Sequence, residues 1–141
     1  MPNDELVSSD AINNAEKTII KILAADDSSD NRFLLGAFLK KYNCELFLVE
    51  NGQEAVDAFQ NNQFDIILMD MQMPVMDGFA ATRLIRDLEK EKNVTPTPIL
   101  ALTAYSLPDE IKQCTDAGCD GHISKPIRKN VLIETIESFI K

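Results

Sequence analysis

Short apolar runs alternate with amphipathic segments along the chain from residue 18 onward. Runs of this kind predict strands, and the sequence has five: TIIKILAADD (18–27), ELFLVE (45–50), DIILMD (65–70), PILALT (98–103) and GHIS (121–124). The segments that follow them carry apolar residues at helical spacing and predict helices over 28–42, 52–62, 77–92, 108–118 and 128–141. Five strands therefore alternate with five helices.

The strands are mostly continuous apolar runs, which indicates that helices cover both faces of the sheet. A closed eight-stranded α/β barrel needs about twice this length. The sequence therefore predicts an α/β fold with an open, doubly wound, five-stranded parallel sheet over residues 18–141. Residues 1–17, MPNDELVSSDAINNAEK, are polar and acidic and are expected to form a flexible leader or linker.

Charge and composition narrow the possible partners and the compartment. The 141 residues carry 23 acidic and 14 basic side chains, a net charge of −9 that argues against direct nucleic-acid binding. The apolar runs are too short to cross a bilayer, so we expect no membrane insertion. Three cysteines without a signal peptide favour a reduced cytoplasmic location, and the spacing of Cys114 and Cys119 argues against zinc.

Polar side chains stand where the predicted strands end. In an open parallel sheet the ligand site lies at the carboxyl ends of the strands, and these ends carry Asp26, Asp27, Asp70, Thr103, Ser124 and Lys125. Each could be an ordinary cap or a solvated surface residue. Three clustered carboxylates, however, repel one another unless a divalent cation compensates them, and oxygen ligands favour Mg²⁺ over zinc.

Asp70 is the central member of this set because it ends the middle strand. It could simply cap the strand or begin a turn. A cation, a hydroxyl and an ammonium around a carboxylate are also the groups that phosphoryl transfer to that carboxylate requires. We therefore expect Asp70 to be phosphorylated.

At this point the chain resembles the receiver domain of two-component response regulators over residues 18–141. The resemblance rests on the Asp26–Asp27 pair, DMQMPVMDG with Asp70, LTA with Thr103 and SKP with Lys125. It implies a flavodoxin-like (βα)5 fold with strand order 2-1-3-4-5. It also implies a signalling domain, not an enzyme in its own right, that catalyses its own phosphorylation and dephosphorylation.

The resemblance assigns roles to individual residues. Asp70 would be the phosphoacceptor, and Asp26, Asp27, Asp70 and the backbone carbonyl of Gln72 would bind Mg²⁺. Thr103 and Lys125 would bind the phosphoryl group, Thr103 and His122 would form the switch, and the Lys125–Pro126 bond would be cis. The sequence departs from the commonest family pattern at His122, where Tyr or Phe is usual, and at Ser28, where Asn is frequent.

The segments DMQMPVMDGFAATR and PILALTAY are most similar to those of receivers in hybrid sensor histidine kinases. That similarity implies a sensor histidine kinase, a histidine phosphotransfer domain, or both as partners. The leader would then be a linker from an upstream kinase, and we expect no DNA-binding domain after Lys141.

The first predicted helix has two apolar residues outside its core stripe. On the first helix, the core stripe of Leu35, Phe38, Leu39 and Tyr42 leaves Phe33 opposite and Leu34 on its flank, so both are candidates for partner docking.

By resemblance, Gln72 and Tyr105 flank the path of water to the phosphorylated aspartate. Tyr105 is expected to exclude water and prolong the phosphorylated state.

Two other functions are compatible with parts of the pattern. A haloacid-dehalogenase-like phosphatase also has a nucleophilic aspartate after an apolar strand, but its general acid lies two residues later, where this chain has Gln72. A non-phosphorylated pseudo-receiver would serve as a binding module. It would be expected to lack the acceptor, an acidic ligand or the lysine, and this sequence has all of them.

Overall fold

The computed structural model describes residues 19–104 and 106–140. The predicted leader, residues 1–17, and the candidate lifetime residue Tyr105 lie outside this range. Within it, no helix combines the length and the apolar character needed to cross a membrane.

Five strands and five helices alternate along the described part of the chain, as the hydrophobic pattern predicts. The strands are β1 (Ile20–Ala25), β2 (Cys44–Val49), β3 (Ile66–Asp70), β4 (Ile99–Thr103) and β5 (Gly121–Ser124). The helices are α1 (Ser29–Phe38), α2 (Gly52–Asn61), α3 (Gly78–Lys92), α4 (Pro108–Ala117) and α5 (Lys129–Ile140).

The strands form one parallel sheet in the order β2-β1-β3-β4-β5, which confirms the predicted fold. Alternate residues of each central strand enter two separate apolar clusters, such as Ile67 and Met69 in one and Ile66 and Leu68 in the other. Every residue of β3 and β4 is buried. Helices on both faces thus explain why these strands are continuous apolar runs.

Strand β2, like the other edge strand β5, departs from the expectation that both faces of every strand are covered. It lies at the edge of the sheet and pairs only with β1. Phe47 and Leu48 are 37% and 40% exposed, whereas the central strands are closed. An edge position explains this difference, because only one neighbouring strand and part of the helical layer shield it.

Helix α1 is shorter than the predicted span of residues 28–42. Ser28 is its N-cap, and its hydroxyl accepts a hydrogen bond from the backbone N–H of Asn31. The helix ends at Phe38, and the chain then turns to enter β2 at Cys44. Leu39 and Tyr42 still pack against the core from this turn, so the apolar pattern continued beyond the helix itself.

Candidate functional site

The acidic pair follows β1 directly. Asp26 is completely buried, and its carboxylate accepts hydrogen bonds from the N–H of Ser28 at 3.0 Å and from the side-chain amide of Asn31 at 3.2 Å. Arg32 donates to the backbone carbonyl of Asp26 at 2.8 Å. The first turn of α1 therefore fixes Asp26, while Asp27 is exposed at the mouth of the site.

Asp70 is the last residue of β3 and is 4% exposed. The backbone N–H of Gln72 donates to its Oδ1 atom at 3.2 Å. The loop then folds back, so that a Cβ on Gly78 would lie 2.1 Å from the carbonyl oxygen of Asp70. Only glycine can occupy that position without moving the loop, which accounts for the glycine at the start of α3.

Lys125 connects two of the three acidic side chains. Its Nζ atom lies 3.1 Å from Asp70 Oδ2 and 3.2 Å from Asp26 Oδ2. Its backbone N–H donates to the carbonyl of Thr103 at 2.8 Å, which extends the pairing of β5 with β4 by one residue. The Lys125–Pro126 peptide bond is cis, as predicted.

The site holds more negative than positive charge. Carboxylate oxygens of Asp26, Asp27 and Asp70 lie within 4.8 Å of one another. Burial raises the pKa of Asp70 to about 6, and the charge of Asp26 adds to this, although the Gln72 N–H and Lys125 oppose it. Burial lowers the pKa of Lys125, but the attraction of Asp70 and Asp26 outweighs burial and raises it.

Thr103, the last residue of β4, is 2% exposed and faces the same cleft. Its hydroxyl donates a hydrogen bond to Oε2 of Glu110 on α4 at 3.1 Å. The cleft has a volume of about 220 Å³, and the predicted site residues in its lining are Asp27, Asp70, Gln72, Thr103 and Lys125. The structure therefore brings the predicted phosphoryl and metal residues together.

The candidate switch residue His122 and the candidate docking residues lie outside this cleft, whereas the other switch residue, Thr103, lines it. His122 is exposed on β5, three residues before Lys125. Phe33 is 75% exposed on α1, whereas Leu34 is half-buried, as their positions on the helix predict.

Asn31 and Glu110 contact the site but are not among the predicted site residues. Asn31 stands one turn into α1, where an amide can reach back to Asp26, so its spacing from the acidic pair offered a signal. Glu110 is seven residues from Thr103 across a loop. Its contact depends on how α4 packs, and no local spacing could indicate it.

Comparison with known proteins decides the family. Residues 22–137 match the response regulator receiver domain. The chain belongs to the response regulator receiver family. Receiver domains act in two-component and phosphorelay signalling, so this chain is a signalling domain, and the match gives no support to the phosphatase alternative.

The curated relatives of this receiver are much longer proteins. It is 36% identical over 116 residues to the sensor histidine kinase GacS of Pseudomonas protegens, covering 82% of this chain and 13% of the kinase. It is 41% identical over 111 residues to the hybrid signal transduction histidine kinase G of Dictyostelium discoideum, covering 77% of this chain and 3% of that protein. The chain thus spans a small part of these relatives.

Solved receiver structures share the fold. The receiver domain of Ssk1 from Saccharomyces cerevisiae, crystallised with the histidine phosphotransfer protein Ypd1, has a TM-score of 0.83 at 32% identity and covers 86% of this chain and 89% of its own. The receiver of a Pseudomonas aeruginosa sensor histidine kinase, with magnesium coordinated in its active-site cleft, has a TM-score of 0.77 at 33% identity and covers 87% and 98%.

Proposed function

We propose that Asp70 accepts a phosphoryl group from a phosphohistidine. The receiver then either transfers that group onward in a phosphorelay or changes conformation in response to it. The position of Lys125 carries the proposal, because its ammonium contacts Asp70 and Asp26 within the cluster of three carboxylates. An ammonium beside the acceptor can neutralise the oxygens of an incoming phosphoryl group.

The transfer needs an ionised nucleophile and a leaving group that can depart. With its pKa raised to about 6, Asp70 is mostly ionised at neutral pH. A carboxylate oxygen of Asp70 attacks phosphorus, and the phosphorus–nitrogen bond of the phosphohistidine breaks. Its electron pair stays on the imidazole, which leaves neutral because its other nitrogen carries the proton. Lys125 and the hydroxyl of Thr103 bind the phosphoryl oxygens.

Magnesium fits the donor set of this site. Asp26, Asp27, Asp70 and the backbone carbonyl of Gln72 would hold the ion, since all are hard oxygen ligands and one lysine does not balance three carboxylates. When bound, the cation supplies the missing positive charge beside the reacting oxygens. The related Pseudomonas aeruginosa receiver with magnesium in its cleft supports this assignment.

The partner is proposed to be a histidine phosphotransfer domain or a sensor histidine kinase. The fold similarity to the Ssk1 receiver crystallised with Ypd1 supports such a partner. Phe33 and Leu34 on α1 are proposed to form part of the docking surface, because Phe33 is exposed on the helix that follows Asp26 and Asp27.

A cytoplasmic location is proposed from the cysteines. Cys44, Cys114 and Cys119 are free thiols, which is consistent with such a location.

The switch and lifetime assignments remain predictions. Thr103 is expected to turn toward the phosphorylated Asp70 and leave space that His122 fills, and the exposure of His122 is compatible with such a movement. Gln72, whose side chain is exposed beside the cleft, and Tyr105 are expected to set the rate of self-catalysed hydrolysis.

The test is phosphorylation with phosphoramidate and Mg²⁺, followed by intact mass measurement. Wild type should gain one phosphoryl group, and Asp70→Asn should gain none. A phosphorylated histidine phosphotransfer protein should then label the same residue. Failure of both donors to label wild type would indicate a pseudo-receiver, whereas continuous turnover of phosphomonoesters would indicate a phosphatase.

A further inference from the structure

We propose that Glu110 is a positioning residue for this phosphoryl transfer: it holds the hydroxyl of Thr103 in the unphosphorylated protein and competes for it with the phosphoryl group on Asp70. The inference rests on the proposed function of Asp70. It assigns a role in the reaction to a side chain of α4, outside the set of strand-end residues that the sequence indicates.

The hydrogen bond between Thr103 and Glu110 is the first observation. The Oγ1 atom of Thr103 lies 3.1 Å from Oε2 of Glu110 and donates to it. A hydroxyl has one proton, so it can donate to only one acceptor at a time. A carboxylate is a strong acceptor, and a hydrogen bond to a charged group is about twice as strong as a neutral one.

The position of Glu110 is the second observation. It is the third residue of α4, in the first turn, and it lines the same cleft as Asp70 and Lys125. Leu107, the N-cap of α4, makes no side-chain hydrogen bond to the helix. Instead of completing a capping box, the carboxylate of Glu110 reaches the end of β4.

A phosphoryl group on Asp70 would disturb this contact in two ways. It brings about −1.5 to −2 charges and three strong acceptor oxygens into the cleft. The hydroxyl of Thr103 must leave Glu110 to bind one of those oxygens, and the carboxylate of Glu110 is then repelled by the added charge. Because the bond to Glu110 must break first, it opposes phosphorylation, and its loss releases the first turn of α4.

The test compares initial phosphorylation rates with phosphoramidate and Mg²⁺ in wild type, Glu110→Ala and Asp109→Ala. Asp109 is the matched control, since it is an exposed carboxylate in the same turn but does not line the cleft with Asp70. We expect Glu110→Ala to react about three- to tenfold faster, as the loss of one hydrogen bond of ordinary net strength predicts. Asp109→Ala should match wild type. Equal rates for the two variants would overturn the inference.

A double-mutant cycle tests whether Glu110 acts through Thr103. In a Thr103→Val background, which lacks the hydroxyl, Glu110→Ala should no longer accelerate the reaction. Backbone amide shifts of residues 106–116 in unphosphorylated Glu110→Ala should move toward their positions in phosphorylated wild type. An equal acceleration in the Thr103→Val background would show that Glu110 acts only through its charge and would overturn the inference. Failure of wild type to be labelled at all would instead contradict the proposed function.

Discussion

The Nζ atom of Lys125 lies 3.1 Å from Oδ2 of Asp70, and the two side chains are 20% and 6% exposed. The same ammonium lies 3.2 Å from Asp26, so one lysine after β5 is tied to carboxylates at the ends of β1 and β3. These contacts hold together the ends of three strands that are far apart in sequence. They also place two buried negative charges around one positive charge.

Replacing Lys125 should therefore destabilise the metal-free protein. Lys125→Met leaves Asp70 and Asp26 without their ammonium, and breaking a buried ion pair in this way costs about 3 kcal/mol in the free energy of unfolding. Urea unfolding at pH 7 in EDTA measures the loss. Lys112→Met is the control, because its ion pair with Asp116 is largely exposed and should contribute less than about 1 kcal/mol. Equal losses in the two variants would contradict a special role for the buried pair.

Asp70 should make the metal-free protein less stable as the pH rises. Its pKa is raised from 3.8 to about 6 in the folded state, so folding favours the protonated acid. The cost of ionising it appears as the pH rises from about 4 to 6 and is fully present above that range. Asp70→Asn should therefore exceed wild type in stability by about 1–2 kcal/mol at pH 7, a figure reduced for solvent screening in an open cleft.

At low pH this advantage should disappear. Below pH 4 the acid is protonated in both the folded and the unfolded state, so wild type and Asp70→Asn should converge. Urea unfolding in EDTA from pH 3.5 to 7.5 measures the difference. A constant difference across that range would mean that it arises from packing and not from the ionisation of Asp70.

Magnesium should stabilise wild type through Asp27. An ion that binds only the folded state adds about 2.7 kcal/mol at a concentration one hundred times its Kd. Asp27 is exposed, yet one of its oxygens lies within 4.8 Å of those of Asp26 and Asp70, so Asp27→Ala should abolish most of the Mg²⁺-dependent rise in Tm. Asp30→Ala removes an exposed charge from the first turn of α1 and should leave that rise intact. A full Mg²⁺ response in Asp27→Ala would exclude it as a ligand.

The hydrophobic pattern predicted the fold well because burial leaves a pattern that extends over whole strands and helices. The fully buried strands β3 and β4 appear in the sequence as unbroken apolar runs, and their polar last residues mark the site. The predicted end of α1 lies beyond the observed one because Leu39 and Tyr42 continue the apolar stripe after the backbone has turned. Periodicity reports which side chains are buried, not where helical hydrogen bonding stops.

Site residues could be predicted only where they stand at the end of a strand. The ends of parallel strands must meet at one edge, so Asp70, Thr103 and Lys125 could be placed together. The contact of Glu110 with Thr103 depends on the packing of α4 against the sheet, which no local spacing encodes.

The exposed ring of Phe33 should affect the rate of phosphoryl transfer from a protein donor and not from a small-molecule donor. Phe33 is 75% exposed on α1 and makes little contribution to the core, so Phe33→Ala should fold normally. We expect about a tenfold slower transfer from a phosphorylated histidine phosphotransfer protein, as for an interface side chain worth more than 1 kcal/mol. Leu34→Ala should act in the same direction.

The rate with phosphoramidate should stay at the wild-type value in both variants. Leu84→Ala is the control, since Leu84 is 40% exposed on α3 and does not line the cleft of Asp70. Equal slowing with both donors would show that Phe33 and Leu34 support folding instead of docking.

Val75 should be a strained residue in the loop after the phosphoacceptor. Its φ is 70°, a region that β-branched residues rarely adopt, and the N–H of Met76 donates to the carbonyl of Pro74 at 2.7 Å across a tight turn. The side chain is 82% exposed, so its removal loses little packing. Val75→Gly should raise the free energy of unfolding by about 1 kcal/mol, since relief of strain exceeds the entropy that glycine loses on folding.

Val94→Gly provides the comparison for this loop. Val94 is half-exposed in a connecting segment and lacks the positive φ, so glycine there should only destabilise. Urea unfolding of both variants in EDTA gives the difference, and a loss of stability in Val75→Gly equal to that in Val94→Gly would contradict the strain. If Val75→Gly is more stable but phosphorylated more slowly by phosphoramidate, the strained turn holds the loop beside Asp70 in its reactive geometry at the expense of stability.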